Sequence, residues 1–375
     1  MPTIVENQIE IINTIKLLIY KESPSLIEKI DFEDDNVFLE SLLFAYFNSN
    51  NNSFDSEILE EIMQGYFLKR ENISLNYSFN KNNIAYLPSI GYIKKNESSV
   101  FDTILKVDEF EVIKEIHPIL EPYFRETYKG HVVNSNPSHK SVWKENYEDF
   151  EKAILLIKNN IPDFYRELVF ANKRIYFHDN PKIINFASMS TFGMLYFYVV
   201  SKYKIIYFIE ELIHQGSHNY LSIILHDRGE YFKVDVDNMR MRDFSKQDWD
   251  YRTIYSAFHG LYTVCKRVEY FDVLLSKNIF NGQQKHELLG RLTDQFSRFR
   301  TGLELLDFDS VYTDKGKELY FSLDTKCENL LKKYEILPSL FDLSNRDLDF
   351  RYEDFCSLNP IEDFYNNETQ GIFNF

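Results

Sequence analysis

The sequence predicts an α+β protein, predominantly α-helical, with a small β-sheet preceding a metal-binding helix. Three observations predict it. Apolar residues recur at helical spacing through the first third of the chain and again through the last. Between them, residues 174–178 and 194–200 are β-branched and aromatic with turn residues around them, as strands are. Residues 207–213 then turn back to a helical pattern directly after the second of these runs.

Taken in order, residues 9–20, 37–48 and 56–67 each read as helices, with an Asn/Ser-rich break at 48–53. Residues 80–100 read as polar and irregular. Helical spacing resumes over 110–128, where Ile113, Ile116, Leu120, Tyr123 and Phe124 recur; Pro118 and Pro122 predict a kink or two short helices there. A polar stretch at 134–141 is the candidate linker, and 147–160 reads as an amphipathic helix. Residues 231–236 alternate like a short strand. Long helices are expected over 252–276, 286–307 and 315–333, before an acidic, aromatic tail from 339. This predicts two parts, an N-terminal helical region over 1–165 and a metal-binding catalytic region over 166–375 with a helical C-terminal part.

Composition excludes several functions. Forty-two Lys+Arg against 58 Asp+Glu leave a net charge of −16, the wrong sign for a nucleic-acid binder or for attachment to anionic lipid. Twenty-six Tyr and 33 Phe against 12 Gly fit a core rich in aromatics, or a wide aromatic groove for a peptide; composition does not separate these. The three cysteines, Cys265, Cys327 and Cys356, lie far apart, which fits a reducing compartment. The N-terminus lacks a basic segment followed by an apolar run, and no apolar stretch is long enough to span a membrane. A soluble, cytoplasmic protein is expected.

Chemistry concentrates at His214-Gln215-Gly216-Ser217-His218. Two His four apart on a helix lie one above the other on one face, so both imidazoles can bind one metal ion. Nine His in the chain make such a pair unremarkable by itself, but apolar flanks bury it, where two imidazoles without ligands are costly. A zinc hydrolase with His-Glu-x-x-His uses the Glu as general base. Gln215 stands there instead, and an amide cannot accept a proton at neutral pH. Ile224 stands where an elongated motif would have a third His. Working metallopeptidase chemistry is therefore disfavoured, whereas an iron(II)/2-oxoglutarate oxygenase needs only ligands and open positions at the metal.

The third ligand must come from elsewhere. His259, inside the apolar helical pattern of 252–276, is the candidate, with Glu269 further along the same helix as the carboxylate alternative. His226 is off the His214/His218 face by about 80°. Seven residues separate Arg252 from His259, about two helical turns, which would place both on one face. Arg252 could grip a 2-oxoglutarate carboxylate bidentately, with Arg240 and Arg242 in reserve.

At these residues the chain resembles the HExxH motif-containing peptide-modification proteins, viewed as 2-oxoglutarate-dependent peptide β-hydroxylases of ribosomal-peptide (RiPP) natural-product biosynthesis. The likeness covers roughly residues 170–275: a strand-like run from Phe186 to Tyr196, the motif, and a helix bearing Phe258-His259-Gly260 with a stretch ending at Phe271. The family places an Arg seven residues before that later His in an Asp-Pro-Arg-Pro-like turn; Arg252 keeps the spacing, with Tyr251 and Thr253 in place of the prolines. Gln215 for Glu is the main departure. The resemblance implies an oxidoreductase, a dioxygenase that hydroxylates a side-chain β-carbon of a precursor peptide. Fe(II) would sit on His214, His218 and His259, 2-oxoglutarate on Arg252, and Gln215 would orient a ligand. The alternative is a zincin-like metal-binding protein, hydrolytically inactive, that serves as a peptide-binding module.

Overall fold

A computed structural model describes residues 4–49, 56–69, 77–97, 99–124, 127–128, 131–132, 142–181, 183–199, 204–245, 247–347, 349–373 and 375. Five helices come first: α1 (Ile4–Glu22), α2 (Pro24–Ile27), α3 (Asp35–Phe38), α4 (Ser41–Phe47) and α5 (Ser56–Met63). Six short strands follow: β1 (Ile84–Leu87), β2 (Gly91–Lys94), β3 (Leu105–Val107), β4 (Phe110–Ile113), β5 (Thr127–Tyr128) and β6 (His131–Val132). Then come α6 (Val142–Asn160), α7 (Pro162–Ala171), β7 (Arg174–His178), β8 (Phe186–Ala187), β9 (Met194–Tyr198) and the motif helix α8 (Ile205–Ile224). The rest is helical: α9 (Arg242–Ser245), α10 (Ile254–Ser276), α11 (Gly282–Leu305), α12 (Asp314–Lys333), α13 (Leu337–Leu340), α14 (Tyr352–Leu358) and α15 (Ile361–Thr369). The fold is α+β and predominantly helical, as the sequence predicts. No helix among the described residues is long and apolar enough to cross a membrane.

The chain forms two compact units. The first is Met1–Ile154, Glu167–Ile205 and His218–His226; the second is Leu155–Arg166, Ile206–Ser217 and Asp227–Phe375. They interleave along the chain, so β7, β8 and β9 belong with the N-terminal helices, whereas the sequence reading places them in its second region.

The first unit is organised by a five-stranded sheet in the order β3-β4-β7-β9-β8. Strands β4, β7 and β9 run parallel, while β3 and β8 pair antiparallel at the two edges. Every residue of β4 and β7 is buried, so apolar residues face both sides of the sheet rather than alternating, and the charged Glu111 and Arg174 are buried as a pair. Ile11, Ile12, Ile15 and Ile19 of α1, four-apart and three-apart on one face, share a core with Leu42 and Leu43 of α4 and with Met194 and Tyr196 of β9.

Two expectations are corrected here. Residues 110–128 do not form a helix: Phe110–Ile113 is strand β4, and a 3₁₀ segment occupies Pro118–Phe124. The stretch 80–100 is not irregular, because β1 and β2 pair across it as a hairpin. Its turn uses Ser89 (φ 63°) and Gly91 (φ 134°), and a Cβ on Gly91 would lie 2.5 Å from the Asp102 carbonyl oxygen, so only glycine fits there. Gly65 is similarly constrained, since a Cβ would come within 1.8 Å of the Pro88 carbonyl oxygen. The candidate linker at 134–141 lies outside the described residues.

In the second unit α10 packs against both α11 and α12. The three long helices stand close to where the sequence puts them, each with its own start signal. Thr253 caps α10 by accepting from Ser256 N at 3.0 Å, and Thr313 caps α12 by accepting from Gly316 N at 3.1 Å. A Cβ on Gly316 would lie 1.9 Å from the Tyr231 carbonyl oxygen. The expected strand at 231–236 reduces to one isolated bridge, Phe232 with Tyr312, set among turns. The acidic tail folds into short helices whose aromatics surround His286 of α11: Phe341, Tyr352, Phe355 and Phe364 all lie within 6 Å of its ring.

Candidate metal and cosubstrate site

Helix α8 runs without interruption from Ile205 to Ile224, so His214 and His218 are one turn apart on one helical face. Both are partly buried, and Leu212, Ile213 and Leu221 are fully buried on the same helix. His214 Nδ1 lies 3.2 Å from Gln215 Nε2 and 3.8 Å from Glu211 Oε2. Burial, together with the charges of Arg267, His259 and Arg298, holds the His214 imidazole well below its usual pKa. It is a neutral ring at physiological pH, the form in which imidazole coordinates a metal.

Gln215 is 2% exposed. Its Nε2 donates to Glu211 Oε2 at 3.1 Å, while its Oε1 is buried and makes no hydrogen bond among the described residues. A half-turn of the amide would bring Oε1 to His214 Nδ1, to accept from Nδ1–H and leave the imidazole Nε2 as the lone-pair donor. Burial and the neighbouring Glu210 carboxylate push the Glu211 carboxyl up to about 7.

Sequence reasoning missed the charged layer beneath this motif. Glu210 accepts from Arg267 Nη1 of α10 at 3.2 Å and pairs with Arg291 Nη1 of α11. Arg291 also donates to Glu287 from Nε and Nη2 at 3.0 and 2.8 Å. Desolvation would raise the Glu210 pKa, but the two guanidiniums hold it below the usual carboxylate range. Charged residues inside an apolar helical pattern were the available signal: Glu210 and Glu211 stand in the middle of Phe208–Ile213, and Arg267 follows a run that is otherwise buried.

The other predicted residues are dispersed. His259 stacks on Tyr255 at 5.2 Å, and its charge acts on His214. Glu269, ten residues on and roughly 15 Å along the axis, gives both carboxylate oxygens to Lys326 at 2.9 Å. His226 lies beyond the end of α8, 3.6 Å from Glu10. Arg240 donates to the Tyr251 carbonyl, and Arg242 lies over the Tyr251 ring. Among the described residues, no three His, Cys, Asp or Glu side chains are gathered as around a metal ion.

Arg252 requires a correction. The sequence argument sets it on one helix face with His259, but Thr253 is the N-cap and α10 starts at Ile254. Arg252 therefore precedes the helix and does not share its periodicity. Its guanidinium instead clasps Asp250 bidentately, Nε to Oδ1 at 2.9 Å and Nη2 to Oδ2 at 2.7 Å. Asp250 is 1% exposed and held below the usual carboxylate range by this pair. Compared with known proteins, the chain matches no family model and no curated protein.

Proposed function

We propose that the protein is a cytoplasmic iron(II)/2-oxoglutarate-dependent hydroxylase that modifies a side-chain β-carbon of a ribosomally made precursor peptide. The observation that carries this reading is the His214/His218 pair, one turn apart on a buried helix, with an amide rather than a general base at position 215. The donor chemistry fits iron: His214 is neutral, and the buried Gln215 Oε1 can fix its ring from the Nδ1 side. Iron(II) with 2-oxoglutarate supplies dioxygen-dependent oxidation of a C–H bond.

The chain's own residues supply the rest. His214, His218 and His259 hold the metal, and drawing the three rings together takes side-chain rotation. Gln215 orients His214. Arg252 anchors the distal carboxylate of the cosubstrate, which requires it to share or release Asp250. Arg267, whose charge acts on His214, is the second candidate for that anchor. The net charge of −16 favours a peptide whose recognition segment is basic or neutral.

A second reading is a hydrolytically inactive, zincin-like peptide-binding module. The Arg252–Asp250 clasp favours it, since it occupies the guanidinium that would hold the cosubstrate. Metal analysis and turnover separate the two. Iron bound by the wild type and lost in His214→Ala, with peptide oxidation that depends on added 2-oxoglutarate, supports the hydroxylase. Zinc without turnover supports the binding module. Gln215→Glu should give no peptide cleavage. General-base catalysis contributes ~10²–10⁴-fold, so cleavage by that variant would be easily seen and would overturn the hydroxylase in favour of the zincin-like reading.

A further inference from the structure

The first unit contains a second polar centre, far in sequence from the motif and independent of it. A cavity of about 440 Å³ is lined by Tyr66, Ser89, Thr103, Lys106, Glu111 and Arg174, among others. Arg174, the first residue of β7, forms its inner wall with a side chain 9% exposed. Its Nε donates to Glu111 Oε2 at 3.1 Å and to the Tyr86 hydroxyl at 3.3 Å; its Nη2 donates to the Tyr66 hydroxyl at 3.1 Å and lies 2.6 Å from Glu40 Oε2. Nη1 makes no hydrogen bond among the described residues and is the part of the fork left for the cavity.

The surroundings hold this fork rigid. Gly65, which tolerates no Cβ against Pro88, lets Tyr66 reach Glu40 and Arg174. Ser89, on the rim, is held at φ 63°, backbone strain of the kind that clusters at binding sites. Three cations line the space (Lys106, Lys173 and Arg174), against two carboxylates, Glu109 and Glu111. The third carboxylate, Glu40, is fully buried behind them. Burial pushes the Glu111 carboxyl above its ordinary pKa even with Arg174 beside it.

We propose that this cavity binds a small carboxylate, seated on Nη1 of Arg174 with Lys173 beside it. The N–H groups of Nη1 are charge-assisted donors suited to a carboxylate oxygen, and the volume lies in the lower part of the range for small-molecule sites. The carboxylate belongs either to a free organic acid or to the C-terminus of a peptide.

Calorimetric titration of the full chain without added metal tests this with three probes: succinate, N-acetyl-dialanine with a free carboxylate, and the same peptide amidated. Saturable binding of one or both acids, with none of the amide, is expected; which acid binds identifies the source. Arg174→Lys should weaken it ~10-fold or more, the scale of a hydrogen bond to a charged group. Because Arg174 is buried among carboxylates, two variants at less buried positions, Lys173→Met and the cavity-filling Thr103→Trp, serve as the folded controls and should each weaken it several-fold. Arg252→Gln should leave it unchanged, so failure here is distinct from failure of the hydroxylase reading. Absence of saturable binding by either acid, or binding indifferent to both Lys173→Met and Thr103→Trp, overturns the proposal.

Discussion

In the first unit one guanidinium, Arg174, lies between two carboxylates, Glu40 and Glu111; in the second, two guanidiniums, Arg267 and Arg291, share one carboxylate, Glu210. Both clusters are buried, yet they act differently on their neighbours. Burial, and less strongly the Glu40 carboxylate, leave Glu111 above its ordinary pKa despite Arg174, and two tyrosine hydroxyls complete the ring. Around Glu210 two guanidiniums outweigh burial and hold its pKa low, although Arg291 is shared with Glu287, and the charge of Arg267 adds to burial in keeping His214 unprotonated. The shift of a buried group thus depends on which charged partners it faces.

Removing one member of each cluster breaks the comparison most severely. Arg291→Met and Arg174→Met should each lose ~3–5 kcal/mol in denaturant unfolding, because each leaves buried carboxylates uncompensated. Adding Glu111→Gln to Arg174→Met should recover part of the loss, since it removes one of the two carboxylates that Arg174 paired. Adding Glu287→Gln to Arg291→Met should recover more, because it removes the carboxylate that Arg291 paired while Glu210 keeps Arg267.

Acid titration sharpens the contrast next. Burial lowers His286 in the second unit to about 4 and His178 in the first to about 3, against 6.5 when free. The unfolded chain therefore takes up these protons first as pH falls, and stability drops from pH 6.5 downward. The His286 contribution flattens near pH 4 and that of His178 near pH 3. The larger loss is expected from His178, whose pKa is lowered further. His286→Phe, in its aromatic cage, should flatten the decline between pH 6.5 and 4; an unchanged profile would remove His286 as its cause.

Gly65→Ala and Gly316→Ala place a methyl against a carbonyl oxygen in one unit each, and ~1–3 kcal/mol should be lost in thermal unfolding. The smallest effects should come from single charges near the motif. Arg267→Gln should raise the His214 pKa in an NMR titration, while Glu269→Gln, which breaks only the partly exposed pair with Lys326, should cost under ~1 kcal/mol and leave metal content unchanged.

How much of this the sequence disclosed follows from where the signal lies. The helices α10, α11 and α12 were legible because each keeps one apolar stripe for five turns or more and has a polar outer face. Strand β4 was not, because it is buried on both faces: Phe110, Val112 and Ile113 lack alternation, and with Ile116 and Leu120 beyond them they imitate a helix. The hairpin of β1 and β2 had a signal that was passed over, Gly91 closing a short loop between two aromatic-rich runs. In the site, His214 and His218 needed only the four-residue period. Besides burial, the charges that act on His214, those of Arg267, His259 and Arg298, come from other helices, and no spacing along the chain announces the two arginines. Arg252 was misplaced because the helical periodicity of α10 stops at the threonine cap one residue after it.

The edges of the five-stranded sheet have a bearing on self-association. Strand β8 spans only Phe186 and Ala187, and β3 only Leu105 to Val107, so neither rim offers a neighbouring molecule more than two or three residues of open ladder. Lys106 stands in the middle of β3, where a second sheet would have to bury its charge. Phe186 lies flat on Tyr196 at 4.1 Å, which turns the aromatic surface of the other rim inward. A chain with so many Tyr and Phe residues carries many segments able to nucleate fibrils, and truncated, charged margins of this kind are how β-proteins stay dispersed when crowded.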